Sequence, residues 1–297
     1  MIRDLMRHLD YPEEAVDFLG NAFDTVAEDP FSFARLYDAA DKLFLTSGSG
    51  FSDDVKAVVD RTCLHKYTVD LLLALTAGRS LHYLYRHRGM DDEMFYRAMR
   101  DTRCKLLECK TVYGIWGTFV FDDWYPGFYR LYRFALGRLQ YDVGKNYLGT
   151  DEGRLEADMP AVACHIPSDG PLTRKSVLSS LKAAYTFLPQ VRKDGKLLVM
   201  CHSWLLYTPL IERLPKNGNV RAFYDLFRVV STAEDPANGD YWRFFGTMWH
   251  EGALEEVRAD TSLKRAVIDL MREGGSLGTG LGYILFDGEN ADKGKNS

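Results

Sequence analysis

The spacing of apolar residues changes near Phe134, and this change constrains the fold more than any other feature of the 297-residue chain. Before Phe134, apolar residues recur every three or four positions, as at Val16, Leu19 and Phe23, which is the spacing of one helix face. After Phe134, short β-prone runs alternate with single helices. The sequence therefore predicts an α+β chain, with a helical N-terminal domain over residues 1–134 and a mixed-sheet domain over residues 135–297.

Helix start and stop signals divide the two domains into elements. In the first domain, helices are predicted to begin near residues 12, 30, 52 and 91, and the third is predicted to continue without interruption to His87. The stretch 47–50, Ser-Gly-Ser-Gly, separates the second helix from the third. In the second domain, one amphipathic helix follows Pro171 and another ends at Gly274. Residues after about Asp287 lack apolar side chains and are predicted to form a flexible tail.

Composition and charge exclude several classes of function. The formal net charge is −5, which argues against a nucleic-acid partner because phosphate binding requires clustered Lys and Arg. The most apolar stretch, residues 69–77, is interrupted by Asp70 and is far shorter than the roughly 20 residues that span a bilayer. The N-terminus lacks the apolar stretch of a signal peptide, and the five cysteines show no paired framework. We therefore expect a cytoplasmic protein with reduced thiols and no membrane partner.

Two Cys-His pairs, Cys164-His165 and Cys201-His202, each end a predicted strand and suggest a zinc site. Adjacent residues of a strand point to opposite faces, so the two cysteines and the two histidines do not converge on one metal ion. The sequence therefore predicts no metal site. A thiol hydrolase with a Cys201–His165 dyad stays open as an alternative, although a buried, unreactive cysteine is the commoner case.

The run from Leu197 to Leu206 ends in polar residues. If all of it is strand, His202 shares one face with Met200 and Trp204, while Ser203 shares the other face with Cys201. The polar members come at the carboxyl end of the strand, where a sheet often opens into a ligand cleft. We therefore expect His202 at the mouth of a cleft, and the alternative is a hydrogen-bonded histidine of the core.

The glycine-rich stretch 274–282 suggests a phosphate-binding loop at first sight. Phosphate loops run from a strand through glycines into a helix, whereas these glycines follow a helix and precede a strand. The stretch is therefore interpreted as a helix end and a turn.

Five short segments, taken in their order along the chain, carry a family resemblance. They are Leu-Gly-Arg-Leu-Gln-Tyr at 136–141, Cys-His-Ile-Pro at 164–167, Cys-His-Ser-Trp-Leu-Leu at 201–206, Leu214-Pro215 with Asn219-Val220, and Asp-Thr-Ser-Leu at 260–263. Together they resemble a family of bacterial acyltransferase-domain proteins that have a helical N-terminal domain and a GNAT-like C-terminal domain. The match extends from Gly137 to about Gly282 and covers the helical half more loosely.

The resemblance implies a mixed α/β sheet in which acyl-CoA enters a V-shaped opening between central strands and is attacked there by an amine of a small-molecule acceptor. Acyl-CoA would be a cosubstrate, and no permanently bound cofactor is implied. On this interpretation the strand that carries Cys201, Trp204 and Leu205 lies beside the pantetheine. His202 is the candidate general base, and Ser203 and His165 are further catalytic candidates.

One departure from the family separates two hypotheses. GNAT enzymes usually follow such a strand with a glycine loop that leads into a helix and holds the pyrophosphate, whereas here Leu206 runs into Tyr207-Thr208-Pro209-Leu210. The first hypothesis is an acyl-CoA-dependent N-acyltransferase of unspecified acceptor. The second is a non-catalytic ligand-binding or scaffolding protein that retains the fold.

Overall fold

The computed structural model describes residues 2–45, 50–122, 124–151 and 154–292. The chain forms two compact units, residues 1–134 and 135–297. The break that the sequence predicts at Ser47, Gly48 and Ser49 lies outside the described residues.

The described part of the first unit is helical. Its helices are α1 (Ile2–His8), α2 (Glu13–Glu28), α3 (Pro30–Leu45), α4 (Ser52–Thr62), α5 (Lys66–His87), α6 (Asp92–Tyr113) and α7 (Pro126–Tyr129). The single helix predicted from Ser52 to His87 is wrong, because Cys63 adopts a left-handed conformation (φ 56°) that ends α4. The His65 side chain then accepts a hydrogen bond from Tyr67 N at 3.1 Å and caps α5.

The start signal at Asp91 acts as the sequence predicts. Asp91 caps α6 by accepting a hydrogen bond from Met94 N at 2.8 Å, and Gly114 ends the helix with a positive φ of 72°. Residues 69–75 of α5 are buried, as their apolar run indicates. Asp70 lies within this run and accepts a hydrogen bond from Lys66 Nζ at 2.6 Å. The burial of α5 therefore includes one carboxylate.

The second unit is a sheet with helices on its connections. Its strands are β1 (Arg133–Leu136), which begins at the unit boundary, β2 (Leu139–Lys145), β3 (Pro160–His165), β4 (Leu197–Ser203), β5 (Arg228–Glu234), β6 (Gly278–Phe286) and β7 (Ala291–Asp292). Its helices are α8 (Arg174–Phe187), α9 (Thr208–Ile211), α10 (Asn219–Tyr224), α11 (Trp242–Phe245), α12 (Ala253–Glu256) and α13 (Ser262–Arg272). Residues 219–231 have a β-prone sequence, but residues 219–224 are helical and only residues 228–231 enter β5.

The strand order is β1-β2-β3-β4-β6-β5, and β7 pairs with β6. β3 and β4 are parallel, whereas β2–β3, β4–β6, β5–β6 and β6–β7 are antiparallel. The sheet is therefore mixed, and the predicted α+β class, with a helical first part and a mixed-sheet second part, is confirmed. A β-α-β connection through α8 joins the parallel pair, as parallel strands require.

Different elements cover the two faces of the sheet. On one face, α8 buries Val177 and Leu181, and its Ser180 hydroxyl lies 3.0 Å from the Tyr141 hydroxyl of β2. On the other face, Leu155 of the loop between β2 and β3 packs in a buried cluster with Met200. Both faces of β4 are therefore covered over most of its length.

The segment after β6 is partly ordered, in contrast to the predicted flexible tail. Asp287 Oδ1 accepts hydrogen bonds from Glu289 N at 2.8 Å and Asn290 N at 2.7 Å, which closes a turn. Ala291 of β7 then pairs with Phe286. The turn brings β7 back onto β6, and residues 293–297 lie outside the described residues.

Candidate functional site

The central parallel strands separate before they end. The register between β3 and β4 contains two pairs, Val162–Val199 and Ala163–Met200. Both strands then continue, β3 to His165 and β4 to Ser203, and this edge of β4 no longer pairs with β3 in the described chain. β4 remains paired with β6 along its other edge. The two strands are therefore unpaired with each other at their carboxyl ends, and we call the region between these ends the β3–β4 opening.

His202 lies beside the β3–β4 opening, near the end of β4. Its side chain is exposed, and Nε2 lies 2.8 Å from the Thr279 hydroxyl of β6. The interpretation of His202 as a core histidine is therefore wrong. The contact with Thr279 fixes the ring orientation at the end of the strand.

His165 is on the same face of the sheet, at the end of β3. Its Nε2 lies 3.1 Å from Asp142 Oδ2 of β2, and both side chains are partly buried. A carboxylate beside a histidine ring fixes the orientation of the ring. His202 and His165 are thus held by different partners, a hydroxyl and a carboxylate.

Cys164 and Cys201 face each other on the opposite face of the sheet. The hydrogen bond between the Cys164 and Cys201 thiols, followed by burial, holds the pKa of Cys164 well above its usual value. Cys201 is fully buried and is separated from His165 by the sheet, which removes the proposed Cys201–His165 dyad. Among the described residues, there is no group of three or more side chains suited to bind a metal ion.

The structure corrects the end of the strand predicted for 197–206. β4 ends at Ser203, and Trp204–Leu206 form a 3₁₀ helix whose first turn is capped by the Ser203 hydroxyl, which accepts a hydrogen bond from Leu205 N at 3.2 Å. The Trp204 ring packs edge-on against Phe244, with centroids 4.8 Å apart, and Leu205 is buried. The alternation predicted for Trp204 and Leu205 therefore fails, because the backbone turns after Ser203.

The glycines of residues 274–282 have two roles. Gly274 follows α13 with a φ of 87°, which confirms the predicted helix end. Gly278, Gly280 and Gly282 instead lie inside β6. A Cβ atom at Gly280 would lie 1.9 Å from the Leu206 carbonyl oxygen, so the 3₁₀ helix packs directly on the strand backbone. The interpretation of this part as a turn is wrong.

Tyr147 is a candidate that the sequence did not reveal. It follows β2 and is half-exposed. Burial of its hydroxyl, together with the nearby Cys201, Cys164 and Asp142, raises the pKa of Tyr147 to about 12. The phenol therefore keeps its proton at neutral pH and lies near both strands of the β3–β4 opening. Its position depends on the fold of the loop after β2, which has no sequence signature.

The helix that begins beside the β3–β4 opening is α8, not a helix after β4. Residues 166–173 connect β3 to α8 and include Gly170, whose φ is 78°. Arg138 Nη2 donates to the Gly170 carbonyl oxygen at 2.9 Å, and Thr173 caps α8 by accepting a hydrogen bond from Ser176 N at 3.1 Å. GNAT enzymes usually have a glycine loop between a strand and the next helix. In this chain such a connection is absent after Leu206, but one that contains Gly170 joins β3 to α8. The amino end of α8 carries the exposed side chains of Arg174 and Lys175.

None of the described helices is both long enough and apolar enough to cross a membrane.

Two family models match the chain in succession. Residues 1–131 match the model described as N-acyltransferase N-terminal domain, and residues 132–284 match the model described as GNAT-like C-terminal domain. No curated protein matches the sequence at a significant level.

Solved structures of acyltransferases share the fold. An acyltransferase mutant in complex with octanoyl-CoA aligns with a TM-score of 0.76 at 20% identity, covering 96% of this chain and 87% of that chain. An acyltransferase in complex with decanoyl-CoA and teicoplanin gives a TM-score of 0.73 at 20% identity, with the same coverage of both chains. An acyltransferase in complex with decanoyl-CoA gives 0.72 at 21% identity, again over 96% and 87% of the two chains.

Proposed function

The chain belongs to the family defined by the GNAT-like C-terminal domain, and from this premise we propose that it is an acyl-CoA-dependent N-acyltransferase. The observation that carries the proposal is the short register of β3 and β4, which pair only at Val162–Val199 and Ala163–Met200. The solved acyltransferases of the same fold were determined with octanoyl-CoA and decanoyl-CoA, so we propose a fatty acyl donor. Acyl-CoA is a cosubstrate in this proposal, with no resident cofactor.

The β3–β4 opening suits the pantetheine arm. Pantetheine carries amide groups that can pair with the edge of a strand, as an added strand does. The edge of β4 from Cys201 to Ser203 would supply backbone partners for them, so that Cys201 contributes its backbone and not its buried thiol. Trp204 and Leu205 would support this edge by holding the 3₁₀ helix in place.

The reaction requires three groups from the protein: a base for the amine, a hydrogen-bond donor for the oxyanion and an acid for the thiolate. The nitrogen lone pair of a neutral amine attacks the thioester carbonyl carbon, and the carbonyl oxygen becomes an oxyanion. The carbon–sulfur bond then breaks, the thiolate takes a proton to leave as CoA, and the ammonium nitrogen loses a proton to give the amide. We propose His202 as the base for the ammonium proton, the Ser203 O–H as a donor to the oxyanion and Tyr147 as the acid for the thiolate.

His165 would act on the same face of the sheet, oriented by Asp142 at 3.1 Å. In this role it would assist in binding the amine or in relaying the proton from His202. The acceptor is a small molecule with a primary or secondary amine, because only a nitrogen with a lone pair and a removable proton gives a neutral amide. The cytoplasmic location expected from the sequence, where acyl-CoA is made and consumed, completes the proposal.

Calorimetric titration of the full chain with decanoyl-CoA tests the proposal. We expect saturable heat and a raised melting temperature, since a ligand that binds only the folded state stabilises it. Free CoA and decanoate serve as controls for the two ends of the donor. If neither heat nor a thermal shift appears at millimolar decanoyl-CoA, the acyltransferase hypothesis fails and the non-catalytic binding or scaffolding protein takes its place. Saturable binding without CoA release in the presence of an amine panel favours the same alternative.

We also propose that residues 1–134 and 135–297 are separate domains. The division of the chain into two compact units supports this boundary. Limited proteolysis should give two stable fragments, with cleavage between about residue 134 and residue 155. Digestion of the whole chain without a stable fragment would contradict the boundary.

A further inference from the structure

The helical unit contains a cavity of about 360 Å³. Residues from α1, α2, α3, α5 and α6 line it, and its apolar wall includes Leu5, Phe23, Leu75 and Phe95. Small-molecule sites have volumes of about 300–1,000 Å³, so this cavity is large enough for a small ligand. None of these residues belongs to the β3–β4 opening, and the proposed acyltransferase reaction does not use them.

Arg79 places a cation at the edge of this cavity. Its side chain is exposed, and within residues 2–45, 50–122, 124–151 and 154–292 no carboxylate pairs with it. Asp4 also lines the cavity, but this carboxylate already has a partner of its own. The guanidinium is therefore available to an anion from outside the chain.

Two histidines complete the polar side of the lining. The His8 ring stacks on Tyr96 with centroids 3.7 Å apart, and the His82 ring stacks on Phe95 at 4.3 Å. His82 Nε2 also lies 2.7 Å from Asp92 Oδ1, which fixes the ring. Both imidazoles are thus held in defined orientations beside the apolar wall, where their ring nitrogens can serve a polar ligand atom.

Thr76 provides a further polar group one helical turn from Arg79 on α5. It lines the cavity, and its Oγ1 atom is buried without a hydrogen-bond partner among the described residues. A buried hydroxyl without a partner is costly, and native structures usually satisfy it with water or a ligand. A ligand oxygen bound by Arg79 would lie on the same side of α5 as this hydroxyl.

We propose that this cavity binds a small monocarboxylic acid with an apolar body. The carboxylate would pair with the guanidinium of Arg79, which offers two parallel N–H donors in the geometry that a carboxylate needs. The apolar body would lie against Leu5, Phe23 and Leu75. A single guanidinium beside an apolar wall matches one negative charge better than the several charges of a phosphate ester.

Calorimetry on the full chain, without CoA present, tests the proposal. The probes are octanoate and 2-naphthoate, and the matched neutral compounds are octanol and 2-naphthol. We expect saturable binding of at least one acid, at least roughly tenfold tighter than that of its neutral counterpart. Binding of octanoate alone identifies an aliphatic ligand, and binding of 2-naphthoate alone identifies an aromatic one. Equal binding of acid and neutral compound, or no binding of either acid at millimolar concentration, overturns the proposal.

Two variants locate the bound acid. Arg79→Met should weaken acid binding roughly tenfold or more, and Thr76→Val should weaken it by a smaller factor. Arg88→Met is the matched control, because Arg88 is exposed in the same unit and does not line the cavity. Melting curves of all three variants should match that of the wild type to within a few degrees. If Arg79→Met folds and binds the acid like the wild type, the site is elsewhere and the proposal fails.

Discussion

The two units bury different kinds of polar residue. Among the described residues, every charged side chain that is buried belongs to the helical unit, whereas the sheet unit buries only uncharged polar side chains. The charged ones are Asp54, Asp70, Asp101, Lys105, Glu108 and Arg133, and the uncharged ones of the sheet unit are Gln140, Asn146, Ser180 and Asn238.

The partners of these groups differ in the same way. In the helical unit the partners of the buried carboxylates are side chains: Lys105 Nζ lies 3.0 Å from Glu108 Oε2, and Asp101 accepts a hydrogen bond from Trp124 Nε1 at 2.7 Å. In the sheet unit, Asn146, Ser180 and Asn238 each bind backbone groups. Ser180 Oγ accepts a hydrogen bond from Leu139 N at 3.1 Å, for example.

The difference follows from where each kind of structure leaves backbone groups unpaired. The interior of an α-helix satisfies its own N–H groups, so carboxylates buried between helices bind the donors of other side chains. Strand ends and connecting loops leave backbone groups that a buried Ser or Asn can satisfy. We infer that the stability of the helical unit depends on the charge state of its buried groups, and that of the sheet unit on the close approach of its backbones.

The largest effect is expected at the β3–β4 opening of the sheet unit, where the proposed reaction would take place. His202→Gln should lower turnover of acyl-CoA by roughly 10²–10⁴-fold, because the amide cannot take the ammonium proton. Since His202 is exposed, the melting temperature should change little. The measurement pairs CoA release with a melting curve on the same sample.

A matched control is His250→Gln, which changes another exposed histidine of the sheet unit. It should retain both turnover and stability. A large loss of stability in His202→Gln with normal specific activity would remove His202 from the proposed mechanism.

The next effect tests backbone packing in the sheet unit. Gly280→Ala places a Cβ atom 1.9 Å from the Leu206 carbonyl oxygen, so the 3₁₀ helix must move away from β6. We expect the free energy of unfolding to fall by about 3 kcal/mol, as for a severe overpacking substitution. The control is Gly144→Ala in β2, where nothing lies within 4 Å of the added atom. Equal denaturation midpoints for the two variants would show that the close approach does not limit stability.

Gly280 also shows what the sequence could and could not reveal. The start of α6 after Asp91 and the end of α13 before Gly274 were predicted because their signals lie in consecutive residues. The role of Gly280 depends on Leu206, which is distant in sequence, and no local pattern encodes that contact. Tyr147 was missed for the same reason.

The faces of β4 were predictable only as far as the strand runs. Alternation places Met200 and His202 on one face correctly, and it fails at Trp204, where the chain turns into a 3₁₀ helix. The break at Cys63 carries no glycine or proline signal, because here a non-glycine residue adopts the left-handed conformation. The lining of the cavity in the helical unit comes from five helices and has no local signature either.

The third prediction tests buried charge in the helical unit. Burial raises the pKa of Asp70 to about 6, above its ordinary value of 3.8, although the hydrogen bond from Lys66 opposes the change. The folded state then holds its proton more tightly than the unfolded state, so this contribution to stability is present below about pH 4 and is lost as the pH rises through about 6. Asp70→Asn places an uncharged amide at this buried position, so no stability is lost by ionisation. The free energy of unfolding at pH 7 should therefore rise by about 2–3 kcal/mol.

Denaturant unfolding between pH 4 and pH 7 measures this effect. Asp92 provides a control of opposite sign, because hydrogen bonds from Arg86 and His82 hold the pKa of its carboxyl well below the usual value. Its contribution is present above the ordinary pKa of aspartate and is lost as the pH falls, so Asp92→Asn should lower stability at pH 7. If Asp70→Asn is less stable than the wild type at pH 7, then the ion pair with Lys66 outweighs the burial of the charge, and the inferred contrast between the units is wrong.

The smallest effect concerns the exposed cationic side chains of the sheet unit. Because this unit buries no charged side chain among the described residues, its exposed charges should affect ligand binding and not stability. Arg174 and Lys175 lie in the first turn of α8, where the helix dipole and the N–H groups also favour an anion. The double variant Arg174→Ser, Lys175→Ser should weaken CoA binding roughly tenfold, which corresponds to about 1.4 kcal/mol. Binding of pantetheine, which lacks the phosphates, should not change. The melting temperature should stay close to that of the wild type, because both side chains are exposed.

The control for this pair is Lys182→Ser, which removes an exposed charge from the middle of α8 and should leave CoA affinity unaltered. Raising the salt concentration should weaken CoA binding in the wild type more than in the double variant, since screening acts on the charges that the variant has lost. An equal loss of affinity for CoA and pantetheine would mean that the substitutions distort the β3–β4 opening instead of removing a phosphate contact. An unchanged affinity for CoA would place the phosphates away from the amino end of α8. The β3–β4 opening would then have to bind CoA through the pantetheine arm alone.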